Sequence, residues 1–231
     1  MARHPKGNES IFKLDVNAVD NLAVIGDRLA TKNLVPGTAV YGERLVPVNG
    51  VEYRLWNPKR SKLAAAIYNG LENLPIKRDS RILYLGAASG TTASHVSDIA
   101  ADGMVYCVDF SPRVFRELMY VCEPRKNMIP ILADASQPRR YLSFLEKCDL
   151  VYQDIAQPNQ GEILLENAGL YLKTGGYVAM AVKARSIDVT EEPEAIFRRE
   201  ELRLKEAGFK IVSLNLEPYD KDHVLLTGKR R

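Results

Sequence analysis

Four charged side chains stand where short apolar runs end, and their chemistry suits a nucleoside and a hydroxyl group. Asp109, Asp134 and Asp154 each close such a run, and Lys183 closes another. A carboxylate in this position can accept hydrogen bonds from both hydroxyls of a ribose, and a lysine can orient a hydroxyl or take its proton. Ligands of open α/β sheets bind outside the carboxyl ends of the strands. The residues therefore predict a nucleoside site with a reacting centre beside Asp154.

A loop of small residues precedes the first of these positions. Residues 86–92 read GAASGTT, and the backbone at Gly86, Ala88 and Gly90 is expected to face a ligand. Small side chains let a ligand approach, and the next helix N-terminus offers free N–H donors. A tight strand-to-helix turn without a ligand is the alternative. The loop fits a dinucleotide fingerprint poorly, because its glycines do not match Gly-x-Gly-x-x-Gly.

Two further pairs of adjacent residues, Asp109 with Phe110 and Asp134 with Ala135, would complete a nucleoside site. Asp109 lies about 20 residues after the loop, where a carboxylate serves NAD and S-adenosylmethionine (SAM) equally well. Phe110 can pack against an adenine face, and a core aromatic is the alternative. Asp134 and Ala135 are placed to hydrogen-bond the adenine amino group.

Alternating strand and helix patterns must position these residues. Helices are predicted from Ser61, through residues 91–100, from Ser111-Pro112, and over 162–172 and 193–207; strands are predicted over 81–85, 104–108, 129–133, 149–153, 177–182, 209–216 and 223–227. This alternation indicates a parallel sheet with helices on both faces. The last two strands are joined by only about six residues, too few for a parallel crossover, so an antiparallel hairpin is expected. A mostly parallel α/β sheet with such a terminal strand is typical of the SAM-dependent methyltransferase (Rossmann-like) fold.

The first 55 residues indicate a small β-rich N-terminal domain. Short β-type runs at 11–14, 39–41 and 53–55 are separated by turn signals at Pro36-Gly37 and Asn49-Gly50. Asn-Gly favours a hairpin, because both central residues of a type I′ turn need positive φ. So short a segment can bury only a small hydrophobic core and is expected to pack against the rest of the chain. The boundary is expected at residues 56–58, which places the methyltransferase domain over residues 56–231.

Composition is that of an ordinary globular protein. The 231 residues are 46% hydrophobic, and 32 basic residues nearly balance 29 acidic ones. This excludes disordered and histone-like chains but not a local basic patch. The cysteines Cys107, Cys122 and Cys148 are far apart, which indicates buried thiols in a reducing cytosol and no metal site. No signal peptide or membrane-length apolar run is seen, so a cytoplasmic protein without a membrane partner is expected.

Four strings carry a specific resemblance to a known family. LYLGAASGTT at 83–92, YQDIAQPNQ at 152–160, VKARSID at 182–188 and EPYDKDH at 217–223 resemble fibrillarin, the box C/D RNA-guided ribose 2′-O-methyltransferase. The resemblance runs from about residue 12 to residue 229. Eukaryotic members carry a Gly/Arg-rich N-terminal extension that this sequence does not show, so the archaeal form is expected.

The resemblance implies a set of SAM contacts and a set of catalytic residues. The cofactor contacts fall on Thr91, Thr92, Asp109, Phe110, Asp134, Ala135, Asp154, Ile155, Ala156 and Gln157. The catalytic Lys-Asp-Lys-His set maps onto Lys62, Asp154, Lys183 and His223. Many relatives have Glu in place of Asp109, and the shorter side chain can still reach a ribose.

Ribose methylation requires alignment of the methyl donor with a weak nucleophile and removal of one proton. Lys183 is expected nearest the 2′-hydroxyl. As a base it would have to release its own proton, which burial and the cation Lys62 favour and Asp154 opposes. As a cation it would instead orient the hydroxyl and stabilise the developing alkoxide. Asp154 would hold the lysines in place, and His223 would relay or support the proton.

The resemblance also implies an assembly. The expected partners are a Nop-domain scaffold protein, a kink-turn-binding ribosomal-type protein, a box C/D guide RNA and the target rRNA, with pre-tRNA as a further substrate. Lys59, Arg60 and Arg185 are expected to bind RNA, with positive charge concentrated from Lys59 to Lys62 and at Lys183. No aromatic-interleaved RNA motif appears, which suits target choice by guide base pairing.

Three other functions stay open from the sequence. An NAD-dependent oxidoreductase is disfavoured by the glycine loop and by the closing hairpin. A non-catalytic RNA-binding scaffold is disfavoured by retention of all four catalytic residues. A guide-independent rRNA methyltransferase of the heat-shock type would share the Lys-Asp-Lys core but carry Glu in place of His223.

Overall fold

A small antiparallel sheet begins the part of the chain that the computed structural model describes, residues 12–231. Its strands are β1 (Leu22–Ile25), β2 (Arg28–Lys32), β3 (Leu45–Val48) and β4 (Val51–Leu55), in the order β1-β2-β4-β3. The predicted Asn49-Gly50 hairpin is confirmed: both residues have positive φ, 49° and 79°, and they join β3 to β4.

Two of the predicted N-terminal strands are wrong. Residue 11 lies outside the described residues, residues 12–14 form bends, and residues 39–41 form a loop. The Glu43 carboxylate accepts hydrogen bonds from the N–H groups of Val40 and Tyr41, at 3.0 and 2.8 Å. A side chain thus satisfies donors that a strand would offer to a neighbour. The sheet is instead completed by β1, β2 and β3, none of which was predicted as a strand.

The main sheet has the predicted topology. Its strands are β5 (Arg81–Leu85), β6 (Met104–Asp109), β7 (Met128–Leu132), β8 (Cys148–Gln153), β9 (Leu172–Lys183), β10 (Phe209–Asn215) and β11 (His223–Arg230). They lie in the order β10-β11-β9-β8-β5-β6-β7, and β11 alone runs in the direction opposite to the other six strands. The strand order reverses beside β5, so the carboxyl ends of β5, β6 and β8 flank one crevice.

Helices cover both faces of this sheet, as expected. They are α1 (Lys62–Tyr68), α2 (Thr91–Ile99), α3 (Pro112–Cys122), α4 (Gln160–Tyr171), α5 (Ala184–Ile187) and α6 (Pro193–Glu206), with a 3-10 helix at Pro138–Phe144. Ser61 caps α1, since its hydroxyl accepts a hydrogen bond from the Ala64 N–H. The three cysteines are buried thiols, as predicted. The small sheet shares a hydrophobic core with α1, through Leu29, Trp56 and Ile67. It therefore packs against the rest of the chain, as expected.

A buried network of charges joins the small sheet to α2. Arg54 on β4 donates to Asp98 on α2 at 2.8 Å, and Glu43 pairs with the same guanidinium. Both Arg54 and Asp98 are fully buried. His95, also on α2, stacks on Trp56, and burial, reinforced by nearby cations, lowers the pKa of its imidazole well below the usual value. Because α2 begins at the end of the loop 86–92, the small sheet fixes the helix that carries this loop.

Replacing Arg54 should destabilise the protein strongly. Arg54→Met leaves Glu43 and Asp98 buried with one cation fewer, and breaking a buried pair in this way costs about 3–5 kcal/mol of unfolding free energy. Urea denaturation followed by circular dichroism measures the loss. The control is Arg78→Met, which breaks the exposed Arg78–Asp102 pair and should leave the midpoint nearly unchanged. Equal effects of the two substitutions would contradict the role assigned to the buried network.

Candidate active site

The loop after β5 turns tightly against the end of β8. The N–H groups of Gly86 and Ala87 both donate to the Val108 carbonyl, at 2.9 and 3.1 Å. Gly86 has a φ of +78°, and a Cβ atom there would lie 2.3 Å from the Asp154 carbonyl oxygen. Only glycine fits, because both the backbone angle and the neighbouring strand exclude a side chain. Packing against Asp154 therefore accounts for Gly86 without reference to a ligand.

The rest of this loop leads into α2. Ala88 is exposed and has a positive φ of 48°, and Gly90 adopts the left-handed conformation as the N-cap of α2. Thr91 is half-buried. Thr92 is buried, and its hydroxyl donates to the Ser61 hydroxyl at 3.0 Å. The Thr92 side chain thus ties the start of α2 to the start of α1.

Asp109 is held where a ribose could reach it. One carboxylate oxygen accepts from the Ala88 N–H and the other from the Ser111 N–H, both at 2.9 Å. A carboxylate has about four acceptor positions, so these two bonds orient the group and leave capacity for a ligand. The adjacent Phe110 ring is 65% exposed, so the alternative of a core aromatic is wrong. An exposed ring beside an oriented carboxylate suits a bound nucleoside.

The ends of β7 and β8 are also fixed by hydrogen bonds. Asp134 accepts from the Ser136 N–H at 2.9 Å, and the buried Ala135 accepts at its carbonyl from Asn167 of α4. The Asp154 N–H donates to the Leu85 carbonyl at 2.9 Å, which holds the end of β8 against β5. Beyond it Ile155 and Gln157 are half-buried and Ala156 is exposed.

A charged cluster lies at the same edge of the sheet. Lys62, the first residue of α1, places its Nζ 2.9 and 3.0 Å from the two carboxylate oxygens of Asp154. Asp220 lies 3.8 Å from the same Nζ and 3.0 Å from Nδ1 of His223. His223 begins β11 directly opposite Lys183, which ends β9. The structure therefore brings all four predicted catalytic residues to one edge, with Asp220 between two of them.

The surroundings of His223 determine which ring nitrogen carries the proton. Nδ1 lies 2.6 Å from the Lys221 carbonyl and 3.0 Å from the Asp220 carboxylate. Both are acceptors, so we assign the hydrogen to Nδ1. In the neutral imidazole Nε2 is then the acceptor, the form that a proton relay requires.

The backbone at Lys183 is held by a buried glutamine. The Lys183 N–H donates to the side-chain oxygen of Gln160 at 3.3 Å, and the Gln160 amide donates back to the Lys183 carbonyl at 3.4 Å. Gln153 in turn donates to the Gln160 carbonyl at 2.8 Å. Gln160 and Asp220 were not predicted as site residues, although both lie in the strings 152–160 and 217–223. Their polarity within those strings is the signal that could have identified them.

The expected RNA-binding residues differ in their surroundings. Lys59 and Arg60 are exposed, and the Arg60 guanidinium lies 5.9 Å from the centre of the Tyr41 ring. Arg185 is exposed too, but it donates to the Val189 carbonyl at 3.0 Å and pairs with Asp222. Lys62 lies between two carboxylates, which reduces the expected concentration of positive charge at that position.

The described residues form neither a metal-binding group nor a membrane-spanning helix. Within residues 12–231, no group of three or more His, Cys, Asp and Glu side chains is arranged to hold a metal ion. Over the same residues, no helix has the length and the apolar character to cross a bilayer.

Comparison with known proteins confirms the resemblance. The fibrillarin family model matches residues 8–231. A fibrillarin-like rRNA/tRNA 2′-O-methyltransferase from Methanococcus voltae is 50% identical over 229 residues, 99% of this chain and 98% of that protein. Aeropyrum pernix fibrillarin, solved with natively bound S-adenosyl-L-methionine, is 48% identical with a TM-score of 0.83, over 93% of this chain and 99% of that chain. A chain in a fibrillarin/Nop5p complex is 47% identical with a TM-score of 0.84, over 91% of this chain and 98% of that chain.

These likenesses cover both sheets and all four strings that carried the resemblance. The predicted fold, a methyltransferase-type sheet with a small antiparallel sheet before it, is confirmed by the topology and by the solved relatives. On the family match and on relatives at about half identity over nearly the whole length, the chain belongs to the fibrillarin family.

Proposed function

We propose that this chain transfers a methyl group from SAM to ribose 2′-hydroxyls of rRNA, and also of pre-tRNA, as the catalytic subunit of a box C/D guide ribonucleoprotein. The observation that carries the proposal is the cluster of Lys62, Asp154, Lys183 and His223 at the edge of the sheet where the proposed nucleoside-binding residues also lie. The Methanococcus voltae relative supports the reaction, and the Aeropyrum pernix relative supports the cofactor.

The residues present fit SAM. Asp109 would accept the ribose hydroxyls, since its carboxylate is oriented and half-exposed. Phe110 would cover one face of the adenine, and Asp134 with Ala135 would meet the adenine edge. The remaining contacts would come from the backbone at Gly86, Ala88 and Gly90 and from Thr91, Thr92, Asp154, Ile155, Ala156 and Gln157. Bound SAM supplies a methyl group already activated on a sulfonium.

The charged cluster would hold the 2′-hydroxyl and take its proton. Asp154 bonds Lys62 through both carboxylate oxygens, so Asp154 fixes Lys62 in the first instance. Lys183, opposite His223, is then the lysine left to face the hydroxyl, as a base or as a cation that stabilises the alkoxide. His223, with its hydrogen on Nδ1, would accept a proton at Nε2.

The proposal includes an assembly in the cytoplasm. The fibrillarin/Nop5p complex supports a Nop-domain partner. A kink-turn-binding protein and a box C/D guide RNA would complete the particle, and base pairing with the guide would choose the nucleotide. Lys59 and Arg60, exposed just before Lys62, would contact phosphates of the target RNA, and Arg185 would add a contact at the end of β9.

Removing the Lys183 amine should abolish methylation and leave the affinity for SAM nearly unchanged. Lys183→Ala should lower the rate of tritiated methyl transfer by at least about 100-fold, in the range of a lost acid–base or alkoxide-stabilising group. The SAM dissociation constant from calorimetry should change by less than about threefold. A parallel loss of SAM affinity would contradict the assignment. Lys183→Arg separates the two roles, because an arginine cannot act as a base, and retained activity would exclude that role.

Methylation should depend on the guide. The reconstituted particle with guide RNA should methylate one nucleotide of a complementary target, and the chain alone should transfer little methyl to the same RNA. Efficient site-specific transfer by the chain alone would favour the guide-independent alternative. Calorimetry of the chain with NAD and with SAM tests the oxidoreductase alternative. Binding of NAD without binding of SAM would favour an oxidoreductase.

A further inference from the structure

We infer that Asp220 is a positioning residue of this site, whose carboxylate couples Lys62 to His223. The inference rests on the proposed function, because the two side chains that Asp220 contacts are proposed catalytic residues. It adds to that function a fifth side chain, carried by the loop between β10 and β11.

Asp220 lies where two proposed catalytic residues approach each other. Its carboxylate is 3.8 Å from Nζ of Lys62 and 3.0 Å from Nδ1 of His223. On its other side Lys62 is bonded to Asp154 at 2.9 Å. The ammonium group thus lies between two carboxylates, one at the end of β8 and one on the closing loop. Lys62 and Asp220 are only about one-fifth and one-third exposed, at 21% and 36% of their side-chain areas, so these contacts are less screened than surface pairs.

The loop that carries Asp220 is built onto α1, the helix that carries Lys62. At the end of α1 the Asn69 side chain donates to the carbonyls of Asn215 and Glu217, both at 2.7 Å. The ring of Tyr219 packs 5.6 Å from the ring of Tyr68. These contacts hold the two ends of the Lys62–Asp220 pair in one rigid unit. The fold therefore places the backbone of the loop that carries Asp220 beside Lys62.

Hydrogen bonds within the loop fix the backbone at Asp220. The N–H groups of Tyr219 and Asp220 both donate to the Leu216 carbonyl, at 2.9 and 3.1 Å, and the Leu216 N–H donates to the His223 carbonyl. The loop thus closes on the residue whose ring Asp220 contacts. Nδ1 of His223 forms its hydrogen bond with the Lys221 carbonyl at 2.6 Å, and the Asp220 carboxylate lies 3.0 Å from the same nitrogen. A carboxylate beside Nδ1 favours the hydrogen on that nitrogen and keeps the opposite nitrogen as an acceptor. Through Asp220, the position of Lys62 and the orientation of His223 become linked.

The coupling can be measured with Asp220→Asn, which keeps the size of the side chain and removes its charge. In the reconstituted particle this variant should lower kcat by about 10- to 100-fold, the range found when a carboxylate that orients a metal-bound histidine is lost. KM for the target RNA and the SAM dissociation constant should stay within about threefold. The control is Glu217→Gln, which removes an exposed carboxylate from the same loop and should leave kcat unchanged. If Asp220→Asn folds poorly, as judged by its melting temperature, Asp220→Ser serves as the second variant.

A double-mutant cycle separates positioning from a merely structural role. In a His223→Ala background, Asp220→Asn should cost less than about threefold in kcat, because the ring that it orients is gone. Multiplicative losses, or a kcat of Asp220→Asn equal to that of Glu217→Gln, would overturn the inference while leaving the proposed function intact. If the unmodified particle transfers no methyl group to RNA, the proposed function itself fails.

Discussion

The reversal of strand order beside β5 is the constraint on which the site depends. Successive strands proceed outward on one side of β5 through β6 and β7, and the chain then returns to the other side at β8. The connections after β5 and β8 therefore diverge, and a crevice opens between them. At its floor the two strand ends touch so closely that no side chain fits at Gly86. The proposed cofactor contacts and Asp154 lie at the carboxyl ends of strands or just beyond them. They therefore line this crevice.

At this edge of the sheet, basic side chains are paired with acidic ones. Lys62 faces Asp154 and Asp220, and Asp220 also faces His223. A cation placed between carboxylates is held in position but contributes little long-range attraction for RNA. The chain as a whole is nearly balanced too, with 32 basic and 29 acidic residues. Attraction for phosphate then falls to exposed residues such as Lys59 and Arg60, and in the proposed particle it is shared with partner proteins.

The main sheet was predictable and the small sheet largely was not, for a physical reason. Strands buried on both faces read as continuous apolar runs, and the central strands β5, β6, β8 and β9 end at or next to an Asp, Lys or Gly residue that marks the boundary. The short strands β1 and β2 are partly exposed and lack that pattern. Residues 39–41 have β-type side chains, but the N–H groups of Val40 and Tyr41 donate to Glu43. Glu43 in turn pairs with Arg54, which lies on β4, outside this segment. Asp220 was not predicted because one of its two partners, Lys62, lies on α1, far away in the sequence. The division of the chain at residues 55 and 56 and the roles of the site residues stay predictions.

The buried network between the small sheet and α2 bears on the function as well as on stability. Apolar packing of equal volume often stabilises a protein as well as a buried ion pair does, so burial energy alone does not explain Arg54 and Asp98. Hydrogen bonds, unlike apolar contacts, have direction. Arg54 donates to both Asp98 and Ser94 on one face of α2, and Thr31 of β2 also donates to Asp98. Donors from two strands therefore fix the rotation of α2 about its own axis. Because α2 starts at Thr91, that rotation sets the direction of the N–H groups that the loop 86–92 presents to the crevice. We therefore expect the small sheet to act as a support for the cofactor loop, although none of the proposed cofactor contacts lies on it.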